Sequence, residues 1–178
     1  MRTWMLALAM ASAACGGESG SDPTCTGTGC TCANTACTCV AGADCKTECF
    51  DDACQLTCTS GSKCNGNSTD QLTVTCSDSS QCKGAGGPNS AITCGESADC
   101  DFKLDNNAAV TCAASATCKI QLGDDSSMTC SGSSTCNVKC DSDCKVTCTD
   151  SSECAVTCGA AATPAEQCAN NVLACGSC

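Results

Sequence analysis

Half-cystines recur through this chain at one fixed interval. Cys58, Cys76, Cys94, Cys112, Cys130 and Cys148 lie 18 residues apart, and so do Cys64, Cys82, Cys100, Cys118, Cys136 and Cys154. Six consecutive copies, each carrying Thr-Cys-x5-Cys, define a tandem repeat. A repeat of this length builds a solenoid, because one unit cannot bury its apolar face without its neighbours. An apolar residue usually stands two places outside each Cys, and alternation by two means β-strand. Around Cys112 the inward positions are Ala108, Val110 and Cys112, then Cys118, Ile120 and Leu122. Two five-residue strands, a five-residue turn and a three-residue turn sum to the period of 18. The expected fold is all-β: a disulfide-rich, right-handed β-solenoid of about seven 18-residue two-strand coils with small end caps.

The composition explains why sulfur must hold such a coil. Beyond residue 20 only 17 Val, Ile, Leu, Met and Phe side chains remain in a chain of 178 residues, against 27 Cys. Cross-links therefore replace much of the hydrophobic burial a domain of this length needs. Facing walls place Cys112 opposite Cys118, Val110 opposite Ile120 and Ala108 opposite Leu122, a small residue against a larger one in the last layer. That layer itself becomes Cys at Cys140-x3-Cys144 and at Cys49-x4-Cys54, which supports an inward register. Consecutive pairing then joins Cys25 to Cys30, Cys32 to Cys37, Cys39 to Cys45, Cys49 to Cys54 and Cys58 to Cys64, and likewise Cys76 to Cys82, Cys94 to Cys100 and Cys112 to Cys118. It continues with Cys130 to Cys136, Cys140 to Cys144 and Cys148 to Cys154. At the end it gives Cys158 with Cys168 and Cys175 with Cys178, where the repeat no longer guides the pairing and spacing does not fix it. The organisation expected is a Cys-dense N-terminal cap and first coils over 25–57, the regular solenoid over 58–158, and a cap over 159–178 with helical content around Pro164 to Leu173.

The first residues are expected to direct export. Residues 1–14 carry one positive charge and a short apolar run ending in small residues, the pattern of a signal peptide and not of a membrane span. Ser12-Ala13-Ala14-Cys15 resembles the lipobox of bacterial lipoproteins, with Ser12 where that family usually has Leu. The resemblance implies cleavage before Cys15, a lipid anchor on Cys15 and a flexible tether over 15–24, hence a bacterial outer-membrane or cell-surface location. Cleavage after Ala11-Ser12-Ala13, giving a secreted protein, is the alternative. Parity favours the lipid: without Cys15, 26 Cys remain, an even number. The processed chain has 19 acidic residues against seven Lys, a net charge of 7 − 19 = −12, which disfavours nucleic acid as a partner.

Few residues are available for catalysis. With no His, Ser-His and Cys-His chemistry is excluded, and the carboxylates of Asp51, Asp52 and Asp99 are scattered, so no enzyme and no cofactor are expected. The segments Thr147-Cys-Thr-Asp-Ser-Ser-Glu-Cys154, Thr75-Cys-Ser-Asp-Ser-Ser-Gln-Cys82 and Thr129-Cys-Ser-Gly-Ser-Ser-Thr-Cys136 resemble the repeat of beetle hyperactive antifreeze proteins. That resemblance implies a disulfide-crossed β-solenoid presenting a flat Thr-Cys-Thr face to ice. The unit here is longer than the insect coil, and the second Thr survives only at Thr59 and Thr149, being Ser77, Gly95, Ala113 and Ser131 elsewhere. One rank is unbroken: Thr57, Thr75, Thr93, Thr111, Thr129 and Thr147, with Gln55 and Lys145 beside its ends. Outward threonines also simply stabilise sheets. Asp-rich turns such as Gly123-Asp124-Asp125 and Asp141-Ser142-Asp143 suggest calcium without forming the Gly-Gly-x-Gly-x-Asp series of bacterial β-rolls, and Cys30-Thr-Cys32 and Cys37-Thr-Cys39 suggest thiolate metal binding. The expected function is a non-enzymatic structural or binding scaffold, with ice binding and then metal binding as alternatives.

Overall fold

The computed structural model describes residues 23–49 and 53–178. The expected signal peptide, Cys15, most of the tether and the pair Asp51 and Asp52 lie outside the described residues. Alternation by two is realised directly, since Thr117–Leu122 shows the burial pattern exposed, buried, exposed, buried, half-buried, buried. All described regular structure is strand or turn, with no helix among the described residues. The strands form two sheets, one of nine and one of ten, whose members alternate along the chain.

Neighbouring coils pair parallel with a register of 18. Cys100 lies beside Cys118, Phe102 beside Ile120 and Leu104 beside Leu122 in one wall, and Val110 beside Met128 and Cys112 beside Cys130 in the other. Seven coils result, from Ala36–Cys39 with Asp44–Cys49 to Cys144–Cys148 with Glu153–Cys158. The register holds because a slip of one residue would turn every buried side chain outward.

The two strands of a coil differ in length. Ser126–Cys130 has five residues but Thr135–Cys140 has six, so the turn between the paired Cys holds four residues and not the five expected. The cause is a ladder bond made before the second Cys, as when Thr117 N donates to Ala98 O at 2.9 Å. The residue two places before that Cys is consequently drawn inside: Ala43, Ser62, Ser80, Ala98, Ala116 and Ser134 are all buried. Ser80 Oγ donates to Cys58 O at 3.1 Å, whereas the hydroxyls of Ser62 and Ser134 lie 3.8 and 3.9 Å from the Sγ of Cys64 and Cys136.

The core between the walls is thin and mostly sulfur and aliphatic carbon. Leu56, Leu72, Ile92, Phe102, Leu104, Ile120, Leu122 and Met128 are its largest members, all at most 2 % exposed. Large and small residues compensate along the axis, since a Cβ on Gly66 would meet Leu56 Cδ2 at 2.8 Å and one on Gly86 would meet Ser90 Oγ at 2.5 Å and Leu104 Cδ2 at 3.1 Å.

All 26 described cysteines form thirteen disulfides. Eleven join consecutive cysteines as expected, from Cys25–Cys30 to Cys148–Cys154. The last two do not: Cys158 pairs with Cys175 and Cys168 with Cys178, in place of Cys158–Cys168 and Cys175–Cys178. The reason is the path of the tail. Val172–Cys175 returns antiparallel on Cys144–Cys148, placing Cys175 beside Cys144 and inside the last coil, where Cys158 also lies. The helix expected around Pro164 to Leu173 is likewise replaced by Thr163–Pro164, Glu166–Gln167 and Val172–Cys175. Asn170 and Asn171, with φ of 60° and 59°, make the reversal, closed by Cys168 N donating to Val172 O at 2.8 Å.

Both ends of the solenoid are closed by antiparallel strands. Thr24–Thr26 lies on Asp44–Cys49 and Cys30–Ala33 on Ala36–Cys39 at one end, and Thr163–Pro164 on Glu153–Cys158 at the other. Reversing direction at the last pair, and setting Pro164 in an outer strand, blunts edges that would otherwise template another strand.

Candidate binding face

The ten-stranded wall carries a column of threonines. Thr57, Thr75, Thr93, Thr111, Thr129 and Thr147 are consecutive partners across it. The column extends further than the 18-residue period showed, because Thr38 is the partner of Thr57 and Thr31 the partner of Thr38. Eight threonines at a strand spacing of about 4.8 Å make a line of about 34 Å. Thr31, Thr38, Thr57, Thr75, Thr93, Thr111 and Thr129 are exposed, and Thr147 is half-buried beside the returning strand, with Val172 as its partner. Thr59 and Thr149 stand apart from this column: both are half-buried at the turn, and Thr149 Oγ1 donates to Cys130 O at 3.4 Å.

Small uncharged residues flank the column. The outward rank two places before it reads Ala36, Gln55, Thr73, Ala91, Ala109 and Ser127, in register, and ends at Lys145. On the other side the turn supplies Thr59, Ser77, Gly95, Ala113 and Ser131. Six coils therefore share an outer face with no charged side chain, from Ala36 to Thr129. Its strands pair parallel and in register without a bulge, and its outward side chains are no longer than Gln.

Charge is segregated onto the remaining surfaces. Lys46, Lys63, Lys83, Lys103, Lys119 and Lys139, six of the seven lysines, lie on strands of the nine-stranded wall. They are interspersed with acids, forming Lys46–Glu48 at 2.7 Å and Lys119–Asp101 at 3.4 Å. An open depression of about 290 Å³ there is lined by Asp44, Lys63, Asn65, Gln81, Lys83, Asp99 and Asp101, so Asp99 joins a mixed-charge surface.

Most other described carboxylates sit at the turns, where the side chains of Asn106, Asp124 and Asp150 tie coil to coil. Asn106 Oδ1 accepts from Asp124 N at 2.9 Å, Asp124 Oδ1 accepts from Ser142 N at 3.0 Å and from its hydroxyl, and Asp150 Oδ2 accepts from Gly132 N at 3.1 Å. The Ser142 hydroxyl and then its amide hold the Asp124 carboxyl below the ordinary carboxylate range. The opposite case is Glu96, held above its ordinary value by the hydrogen bond and then the charge of Asp78 on the adjacent coil. The turn acids weighed for calcium are thus in part committed to backbone amides, as Asx turns are. The sulfurs of Cys30, Cys32, Cys37 and Cys39 are committed to disulfides and offer no thiolate to a metal.

Thr38 had a signal in the sequence, whereas Thr31 reaches the column through the antiparallel pairing of Cys30–Ala33 with Ala36–Cys39. Thr38-Cys39-x5-Cys45 repeats the motif, but stands 19 residues before Thr57-Cys58, so one inserted residue hides it from a fixed period. No protein-family model matches this chain, and neither a curated protein nor a solved structure does.

Proposed function

We propose that the protein is an exported, lipid-anchored, non-enzymatic scaffold whose solenoid presents the threonine wall to a flat, uncharged, hydrogen-bonding surface. The observation that carries this is the partition of charge: six of the seven lysines on one wall, most acids at the turns, and no charged outward side chain on the other wall over the six coils before Lys145. In a chain with 19 acidic residues, six consecutive coils of one wall free of charged outward side chains support a role beyond solubility. A rigid staple and a neutral, shallow, repeating surface suit a partner that is itself extended and regular. Cys15 and a tether would hold this face away from the membrane.

Ice is the second reading, favoured by the length and register of the column. Hydroxyl and methyl groups repeat every ~4.8 Å on a plane that cannot flex, and the Thr-Cys motif resembles that of the beetle proteins. Thr93→Tyr and Thr111→Tyr in mid-face test both readings. If the wall is a presentation surface, each variant keeps the wild-type strand spectrum and protease resistance. If either loses them, the threonines serve the sheet and the presentation reading fails. If ice is the partner, the native chain arrests ice growth at micromolar concentration and each variant abolishes the arrest. A native chain without effect on ice growth removes the ice reading.

A further inference from the structure

The in-coil disulfides stand directly above one another. Cys58, Cys76, Cys94, Cys112 and Cys130 are successive partners in one wall. Cys45, Cys64, Cys82, Cys100 and Cys118 are successive partners in the other. Within a coil the bonded Cα atoms are 6.4 Å apart at Cys58–Cys64 and 6.3 Å at Cys76–Cys82. Between coils, in-register Cα atoms are separated by the strand spacing of about 4.8 Å, inside the range of about 4.4–6.8 Å that a disulfide spans. The sulfurs are close as well: Sγ of Cys58, Cys64 and Cys82 lie within 4.8 Å of one another, and so do those of Cys130, Cys136 and Cys154. Bonds across a coil are thus present, and bonds along a wall come within reach of a small shift that closes the facing Cβ atoms to about 4.5 Å.

We propose that this column is a thiol–disulfide exchange path, along which a thiol made at one coil migrates to neighbouring coils without further reductant. When Cys82 is a thiolate, it attacks Cys64 Sγ. The Cys64–Cys82 bond forms, the Cys58–Cys64 bond breaks, and Cys58 leaves with the electron pair as the new thiolate. Nothing is oxidised or reduced overall, and the number of disulfides is conserved. Cys58, whose other neighbour in its wall is Cys39, repeats the step on the Cys39–Cys45 bond, and Cys82 can equally attack Cys100 and release Cys94. Only the first thiol requires an outside agent, a small thiol or phosphine reductant, or the loss of one cysteine.

Burial gives the path a direction of use. Cys58, Cys76, Cys94, Cys112 and Cys130 are at most 1 % exposed, whereas Cys148 and Cys154 in the last coil are half-buried. An external oxidant cannot reach an interior thiol, but exchange carries that thiol to the end coil where it can be captured. The column thereby repairs its own interior. This inference does not depend on which surface the threonine wall meets.

The test uses the full chain with Cys76→Ser, which leaves Cys82 unpaired. After incubation at mildly alkaline pH, the protein is acid-quenched, denatured, alkylated and mapped. Migration predicts label on Cys58 and on Cys94 as well as Cys82, whose share falls to about a third or less if these isomers are equally stable, together with Cys64–Cys82 and Cys82–Cys100 peptides. Label on Cys82 alone, with every other native bridge intact, overturns the proposal. If Cys76→Ser does not fold, Cys148→Ser in the end coil asks the same question, with Cys154 facing Cys130–Cys136. In the wild-type chain, limited phosphine treatment followed by the same incubation is expected to yield Cys136–Cys154. Its absence, when end-coil thiols are present, counts equally against migration.

Discussion

Full reduction under native conditions is expected to abolish the strand signal in far-UV circular dichroism and to expose the chain to trypsin. The core is too thin to stand without its sulfur. Its large members are the few Val, Ile, Leu, Met and Phe residues spread over seven coils, and each coil contacts only its neighbours. Each bridge closes a short loop, five or six residues apart in ten of thirteen cases. Such a loop contributes about 2 kcal/mol, so losing a handful of them matches the ~5–15 kcal/mol of net stability of an ordinary domain. Six of the seven lysines lie on one wall, within strands. Trypsin is therefore blocked at those strands in the oxidised chain and cuts at them once it is reduced. A reduced chain that kept its strand spectrum would mean that packing, not sulfur, holds the coil.

Gly84→Ala is expected to open the middle of the solenoid. Gly84 has φ +153°, and a Cβ there would lie 1.7 Å from Gly66 O and 2.7 Å from Gly66 C, both backbone atoms of the adjacent coil. No rotamer relieves that overlap, so the pairing of Lys63–Ser68 with Gln81–Gly86 must part. The position is small because its backbone closes on that of Gly66, its partner in the preceding coil. Gly66, Gly84 and Phe102 are successive partners along that wall, with Gly84 half-buried between them. Strained backbone and lost ladder bonds together cost about 3 kcal/mol. Hydrogen exchange of the amides over 63–68 and 81–86 should accelerate by about 100-fold. Gly61→Ala is the contrast: φ is +71° but nothing lies within 4 Å of the added carbon, so its cost is the conformational one of about 1 kcal/mol. Equal exchange in the two variants would contradict the close approach of Gly84 to Gly66.

The solenoid was legible because one interval sets everything. Once Cys112 and Cys118 are taken to face inward, parity assigns Val110, Ile120, Ala108 and Leu122 to the core, and the parallel register of 18 follows. The same parity already places Lys83, Lys103, Lys119 and Lys139 outward on one wall and leaves the other wall neutral, so the charge partition was present in the sequence although it emerged only with the sheets assembled. What the period could not supply lies where the period fails. The inserted residue before Cys58 hid Thr38 from the fixed period, and Thr31 joins the column only through the antiparallel pairing of the cap. The tail after Cys158 has no repeat to anchor it, so nearest-neighbour pairing and a helix were the local expectations. A reversal at Asn170-Asn171 instead carries Cys175 back over the last coil. The buried Ser and Ala of the four-residue turn were also present as a pattern, at 43, 62, 80, 98, 116 and 134, but only the ladder bond made before each second Cys shows why the position must be small.

Disulfide mapping of the native, fully oxidised chain, digested at acid pH to freeze exchange, bears most directly on the inward, in-coil pairing of the cysteines. The structure predicts Cys58–Cys64, Cys76–Cys82, Cys94–Cys100, Cys112–Cys118 and Cys130–Cys136 through the repeats, with Cys158–Cys175 and Cys168–Cys178 closing the tail. Bridges between cysteines several coils apart, such as Cys58 with Cys130, would contradict it.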